Sequence, residues 1–409
     1  MEQVSQISVA SEPLSWWQNK CRTILVRYLG QFTHGCLHFK DAYGEMRFGN
    51  PDSDLVADIN IKANEFYPAV VRGGGIAFAE SFISQHWTTS DLVNLLRLFA
   101  RNQNQSDALE KFTGLINKAK NKLFHAGNKN TQAQAKKNIL SHYDLGNELY
   151  TRFLDTEMVY SSAVFVDEHQ SLEQAQLNKF EQICSALSLS EDDHLVEIGT
   201  GWGGLAIYAA SRYGCKVTTT TISDEQYNYA QARIHDLGLA GQITLLKKDY
   251  RLLSGQYDKL VSVEMIEAVG KEYFHEFFSK CESLVKPQGK MLIQAITIAD
   301  QRYQSYSNNV DFIQRYIFPG GCLPSITELQ RNLTAHTSMV TESIKDIGLD
   351  YALTLQHWTQ RFLNNWSEIT KHGYDEQFKR LWLYYFAYCE AGFLERKVST
   401  VHLLAAKSQ

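Results

Sequence analysis

The residues best suited to chemistry fall in two strings. The first is Val196-Glu197-Ile198-Gly199-Thr200-Gly201-Trp202-Gly203-Gly204. An apolar run enters a glycine turn and a helical pattern follows, so the backbone there must turn tightly and lie against a ligand. Gly199, Gly201 and Gly204 meet the G-x-G-x-x-G spacing of a dinucleotide site, a weak match by itself. A dinucleotide fold usually offers an acid at the end of its second strand to hold the ribose. Here that strand ends Val217-Thr218-Thr219-Thr220-Thr221, with no acid. The second string is Glu264-Met265-Ile266-Glu267. It follows the fourth strand-like run, at the carboxyl edge where open α/β sheets bind ligands. Two close carboxylates split their pKa values and leave one able to hold a proton.

The elements that position these strings alternate. Strand-like runs at His194–Ile198, Cys215–Thr221, Ile243–Leu246, Lys259–Val263, Lys290–Ile298 and Val398–Ala406 are separated by helical patterns such as Leu205–Tyr213 and Glu225–Leu237. Strands divided by helices imply a parallel sheet covered on both faces. Residues 299–397 are rich in aromatics and too long for one crossover, so they are expected to form a helical cap over the sheet's ligand edge. Tyr303, Tyr306, Phe312, Tyr316 and Phe318 precede a Pro-Gly-Gly loop, and Trp382, Tyr384, Tyr385 and Tyr388 share a late helix; such faces can steady a developing cation. Upstream, short runs at Leu37–Phe39, Met46–Phe48 and Ala57–Ile61 predict strands. Gly73-Gly74-Gly75 precedes a helical pattern through Phe82, and Ser90–Ala100 reads as another helix, giving a small α+β domain over 1–110.

Composition sets outer limits. The 409 residues are 44% apolar and carry 40 basic against 45 acidic side chains, net −5, which excludes a strongly basic nucleic-acid-coating protein. Seven scattered cysteines form no CxxC pair and read as thiols of a reducing compartment, with no metal site. The first residues lack an apolar signal region and no run approaches membrane-spanning length, so a cytoplasmic protein with at most peripheral membrane contact is expected. Residues 111–140 hold seven lysines and no acid. They read either as a solvated linker or as a basic amphipathic stretch that docks on anionic lipid.

Glu197 two residues before the first glycine gives the acid-x-Gly-x-Gly form of S-adenosylmethionine methyltransferases. From about residue 140 onward the chain resembles the cyclopropane fatty acid synthases, including the mycolic acid cyclopropane synthases. The matching strings are His142-Tyr143-Asp144-Leu145, Tyr160-Ser161-Ser162-Ala163, the glycine loop, Thr221-Ile222-Ser223 with Gln226, Asp249-Tyr250-Arg251, Glu264–Glu267 before Val269-Gly270, and Tyr316–Ser325 around Pro319-Gly320-Gly321. The resemblance implies a Rossmann-like class I methyltransferase sheet over 141–409 behind a lipid-binding-like N-terminal domain. It implies methyl transfer from S-adenosylmethionine to a cis double bond of a phospholipid acyl chain, with closure to a cyclopropane. The partner is then a membrane phospholipid met at the inner membrane surface, with a homodimer open. An unsaturated, methyl-branched product is the alternative outcome, and a soluble small-molecule methyltransferase or a lipid-binding pseudoenzyme are the rival classes.

Carried over by position, Tyr160 and Ser161 would touch the cofactor's amino-acid end, with Glu197, Gly199, Gly201 and Trp202 around it. Thr221 and Gln226 would hold the ribose, and Asp249 and Tyr250 would flank the adenine. The family uses a bound bicarbonate as general base. Glu267 falls on the carboxylate that orients it, and Tyr385 on the tyrosine near it. Three positions depart from the pattern: Ser162 replaces a cysteine, Glu264 a glycine and Gln294 a histidine. Ser162 and Gln294 can still donate hydrogen bonds. Glu264 adds a second acid beside the anion site, so either it points away or a carboxylate of the chain itself acts as base.

Overall fold

The computed structural model describes residues 13–103 and 146–408. The basic segment 111–140 and the His142–Leu145 string lie outside the described residues. The chain divides into two compact units, within residues 1–117 and 118–409.

In the first unit a helix over Trp16–Leu29, capped by Ser15, precedes a four-stranded sheet. β1 (Cys36–Asp41) and β2 (Gly44–Gly49) form an antiparallel hairpin, β3 (Val56–Ile61) lies parallel to β1, and β4 (Trp87–Thr88) pairs antiparallel with β3. The glycine triplet separates two helical stretches within Phe66–Ile83, the second running through Phe82 as the sequence predicts. The helical path breaks in a bend at Gly74, whose φ of 56° and ψ of −138° only glycine adopts freely. The bend lets Phe66 and Phe78, on either side of it, meet at 6.1 Å, while Trp87 stacks on Phe78 at 4.4 Å. Asp91 caps the Leu92–Asn102 helix through the amide of Asn94.

The second unit is built on a seven-stranded sheet. β5 (His194–Ile198), β6 (Lys216–Thr221), β7 (Ile243–Lys247), β8 (Tyr257–Val263) and β9 (Val285–Ile298) are parallel. β10 (Met339–Asp346) and β11 (Val398–Lys407) complete it in the order β10-β11-β9-β8-β5-β6-β7. The expectation of an all-parallel sheet is corrected at one edge, where β11 runs antiparallel to β9 and β10 antiparallel to β11. β10 escaped sequence reading because it is an edge strand, almost wholly exposed after Met339, and carries no apolar run.

The chain leaves β5 toward β6 and β7, then returns to the other side of β5 with β8. Strand order therefore reverses beside β5, which opens a crevice at the carboxyl ends of β5 and β8. Both chemical strings sit there, one immediately after each strand. Helices cover the two sheet faces through separate apolar clusters, one around Phe274, Phe277 and Phe278, the other around Phe180, Ile183 and Leu205. Between β9 and β11 lie the expected cap helices, the longest being Gly348–Asn364 and Glu376–Leu394. Asp375 starts the second of these, accepting from the amide of Phe378. The pair packs through Trp358, Phe362, Trp382 and Phe386, with Phe362 stacked on Trp382 at 6.2 Å.

Candidate active site

The cavity at the crevice is lined by the glycine loop, Tyr160 and Ser161, Thr221 and Gln226, Asp249 and Tyr250, and Glu264. Gly199 turns at φ 100°, and a Cβ there would stand 2.5 Å from Met265 Cγ, so the position requires glycine on both counts. Gly201, at φ 52°, has open space where its Cβ would be. Glu197 is buried beneath the loop and accepts from Thr219 Oγ1 at 2.5 Å, while Thr200 and Thr219 share a hydroxyl contact at 2.6 Å. Burial pushes Glu197 up to about 8, against the lowering effect of Thr219. Thr221 Oγ1 donates to Gln226 Oε1 at 2.8 Å, which leaves the Gln226 amide nitrogen for a ligand. Asp249 takes the Arg251 guanidinium in a fork of 2.9 and 2.7 Å. Trp202 is held by its Nε1–H on Asn147, at 2.7 Å.

At the far wall, Glu264 turns into the site. Its Oε1 accepts from the main-chain nitrogen of Ser162 at 2.9 Å and from Gln294 Nε2 at 2.8 Å, and its Oε2 accepts from Tyr351 at 2.9 Å. Gln294 is oriented by His402, its direct partner across β9 and β11, whose Nε2 lies 2.9 Å from Gln294 Oε1. Because the amide nitrogen donates to Glu264, its oxygen must accept, so His402 carries its proton on Nε2. Burial pushes His402 down to about 3, with Lys179 and Lys345 adding to the shift, and it stays neutral.

Glu264 keeps some surface because it lines the cavity, yet the cap shields it from bulk water. Burial raises its pKa, and the Ser162 amide, Lys179, Gln294 and Tyr351 oppose that rise. Lys179 is fully buried and donates to Ser161 Oγ at 2.7 Å. Burial pushes it down to about 8, against the attraction of Glu264 and Asp155. Glu267 accepts from the amide of Ile296 through Oε1, while its buried Oε2 has no hydrogen-bond partner. Burial first, then the charge of Glu264, pushes Glu267 up to about 8. Three donors thus converge on the Glu264 carboxylate, while Glu267 receives one. The carbonyl of Glu267 also accepts from Cys322 at 2.8 Å, which pins the Pro-Gly-Gly loop over the site.

Several sequence expectations change here. Ser162 faces the carboxylate with its backbone; its hydroxyl turns away to the carbonyl of Ala163, at 2.9 Å. The Tyr385 hydroxyl meets that of Tyr160 at 3.0 Å, and it is Tyr351, unnoticed in the sequence, that donates to the carboxylate. Which cap tyrosine points inward is set by how the two long helices rotate against each other, and local spacing does not reveal that. Lys179 was also missed; a lone lysine in an ordinary amphipathic helix gives no signal until the fold buries it. His402 could have been found as a histidine inside an apolar strand pattern.

Residues 130–403 match the family model for mycolic acid cyclopropane synthetase. The chain belongs to this family. It is 36% identical to the cyclopropane-fatty-acyl-phospholipid synthase of Escherichia coli (strain K12), over 84% of this chain and 86% of that one. It is 35% identical to the tuberculostearic acid methyltransferase UfaA1 of Mycobacterium tuberculosis, over 79% of this chain and 76% of that one. Among solved structures, the mycolic acid cyclopropane synthase CmaA1 complexed with SAH and CTAB is 25% identical with a TM-score of 0.62, covering 66% of this chain and 98% of that one. The cyclopropane synthase MmaA2 from Mycobacterium tuberculosis, 24% identical with the same TM-score of 0.62, shares the fold over 66% of this chain and 98% of its own.

As a member of this family the protein is an S-adenosylmethionine-dependent methyltransferase. The residues fit that cofactor. The missing side chain of Gly201 leaves room at the loop, and the donors of Gln226 stand free beside Thr221. The residues do not fit a bicarbonate ion in the same way. The Ser162 amide, Gln294 and Tyr351 already donate to the Glu264 carboxylate.

Proposed function

We propose that this enzyme transfers the methyl group of S-adenosylmethionine to a cis double bond in a phospholipid acyl chain and closes a cyclopropane ring. The observation that carries this reading is a buried carboxylate on the wall of the glycine-loop cavity, beneath an aromatic cap. S-adenosylmethionine supplies a methyl group on positively charged sulfur. The chain's own residues do the rest. The glycine loop and Gln226 hold the cofactor, and the cap keeps water from a cation that would capture it. Faces of Tyr160, Tyr385 and Phe318 favour positive charge, by about 0.5–2 kcal/mol each. Phe318 lies 6.4 Å from Tyr385 on the loop pinned to Glu267.

Both products require the cation to lose a proton: a base beside the added carbon takes it from that carbon and closes the ring, whereas loss from a neighbouring chain carbon gives the methyl-branched, unsaturated product. UfaA1's similarity keeps that second product in view. Mass spectrometry of the phospholipid fatty acids formed on expression decides between them. A gain of one methylene with no remaining double bond supports the ring; the same gain with the double bond retained supports the branched chain.

The membrane is met peripherally in this reading. No helix among the described residues is long and apolar enough to cross a bilayer. The seven lysines of residues 111–140 supply the attraction to anionic headgroups, each worth about 1 kcal/mol near the surface.

A further inference from the structure

We propose that Glu264 is the built-in base of this enzyme, standing in the ring of donors where an exchangeable anion would otherwise be required. The inference rests on the cyclopropane-forming function proposed above and names the group that completes it. Three independent features carry it.

The first is backbone conformation. Glu264 has φ 49°, in the left-handed region that glycine adopts freely and that other residues enter at a cost of about 1–3 kcal/mol. A side chain kept at such a position, on the wall of the switch-point cavity, has a use there. The second is donor geometry. Two donors converge on Oε1 and one on Oε2, so the group is held as an ionised carboxylate, and Oε2 keeps a lone pair for a proton. The donor ring is itself held in place, Gln294 by His402 and Tyr351 by the long cap helix. The third is placement. Glu264 lines the cavity together with the glycine loop, whereas Glu267 is not among the lining residues and spends its Oε1 on the backbone of Ile296.

In the reaction, the carbon–sulfur bond of the cofactor breaks with its electron pair left on sulfur, and the methyl carbon bonds to one alkene carbon. The other alkene carbon becomes the cation. Glu264 Oε2 then accepts a proton from the added carbon, and the freed C–H electron pair forms the closing ring bond. The net products are the cyclopropane, S-adenosylhomocysteine and one proton, which passes from Glu264 to solvent. Three donors on the carboxylate also blunt it as a nucleophile, which disfavours capture of the cation as an ester.

The test uses the full chain and ¹³C-bicarbonate, followed by NMR line broadening, alongside turnover. The parent should bind no bicarbonate and turn over equally with and without it. Glu264→Gly, which removes the carboxylate and relaxes the backbone, should bind the ion and need it for ring formation. Glu264→Gln, folded by circular dichroism, should lose about 10²–10⁴-fold in ring formation. Bicarbonate binding by the parent, or a Glu264→Gln variant with the parent's turnover, overturns the proposal. The parent's binding arm needs no variant and stands even where a variant fails to fold. Release of S-adenosylhomocysteine is read separately: none from the parent with unsaturated phospholipid defeats the functional reading, while release without any effect of Glu264→Gln defeats only the base.

Discussion

The carboxylate of Glu264 lies 2.9 Å from the main-chain nitrogen of Ser162, across 102 positions of sequence. That contact ties the end of β8 to the segment leading from the Asn147–Phe153 helix toward the sheet. The remaining donors arrive from β9 and from the cap, so three separate parts of the second unit converge on a carboxylate carried by a fourth.

Removing the hydroxyl of Tyr351 should show its effect in a pH profile. Tyr351 donates to Glu264, so Tyr351→Phe takes away a bond that favours the ionised form, and the carboxylate's pKa rises further. The acid limb of the pH–rate profile should move to higher pH, with turnover at neutral pH down by about tenfold, less than the roughly 10²–10⁴-fold expected for losing the base itself. Tyr385→Phe loses only the contact with Tyr160 and should leave the limb in place at a stability cost of about 1 kcal/mol. An unmoved limb in Tyr351→Phe, or a moved one in Tyr385→Phe, would reverse the two assignments.

His402 should act through Gln294 alone. His402→Leu leaves the Gln294 oxygen buried without its donor, at a cost of about 1–3 kcal/mol, and frees the amide to flip its oxygen toward Glu264. Turnover should fall while cofactor affinity holds, and His402→Gln, which restores a donor, should recover part of the loss. Because burial pushes His402 down to about 3, the parent's profile should show no imidazole limb near neutrality.

Stability should fall as pH rises from about 5 to above 8. Burial pushes Glu197 and Glu267 up to about 8. Such an acid holds its proton in the folded state while the unfolded chain, at about 4.3, has released it. Its stabilising proton is therefore fully present below the unfolded value and lost as pH passes the folded one. Thermal melts across this range should slope downward, and Glu197→Gln or Glu267→Gln should flatten the slope. Because Glu267 does not line the cavity and spends its Oε1 on the backbone of Ile296, Glu267→Gln should cost turnover less than about tenfold, far below the effect at Glu264. Melts that stay steep in both variants would place the titrating groups elsewhere.

Gly201→Val should abolish cofactor binding, measured by calorimetry. The glycine sits at φ 52° with open cavity where a side chain would project, so a branched residue is both strained and in the ligand's space. Undiminished affinity for S-adenosylmethionine would remove this loop from the binding site.

Much of this protein was determined by local sequence. The parallel core strands and the helices between them follow from apolar runs, glycine turns and cap residues, which act over a few positions. Ser223, for example, caps the Asp224–Asp236 helix by accepting from Gln226. The glycine loop was legible for the same reason: its backbone conformations demand glycine at fixed spacing. The edge strand Met339–Asp346 was not, because it depends on what lies beside it in space.

The glycine-loop cavity at the switch point was thus legible in the chain, but the direction of Glu264 was not. From sequence it stood as a second acid that either turned away or rebuilt the site. Tertiary structure decided the matter by gathering Ser162, Gln294 and Tyr351 around one carboxylate and by burying Lys179 nearby. Hydrogen-bond donors on distant segments leave no periodicity in a sequence. Only packing brings them within 3 Å of one carboxylate, and only burial makes their bonds to it strong.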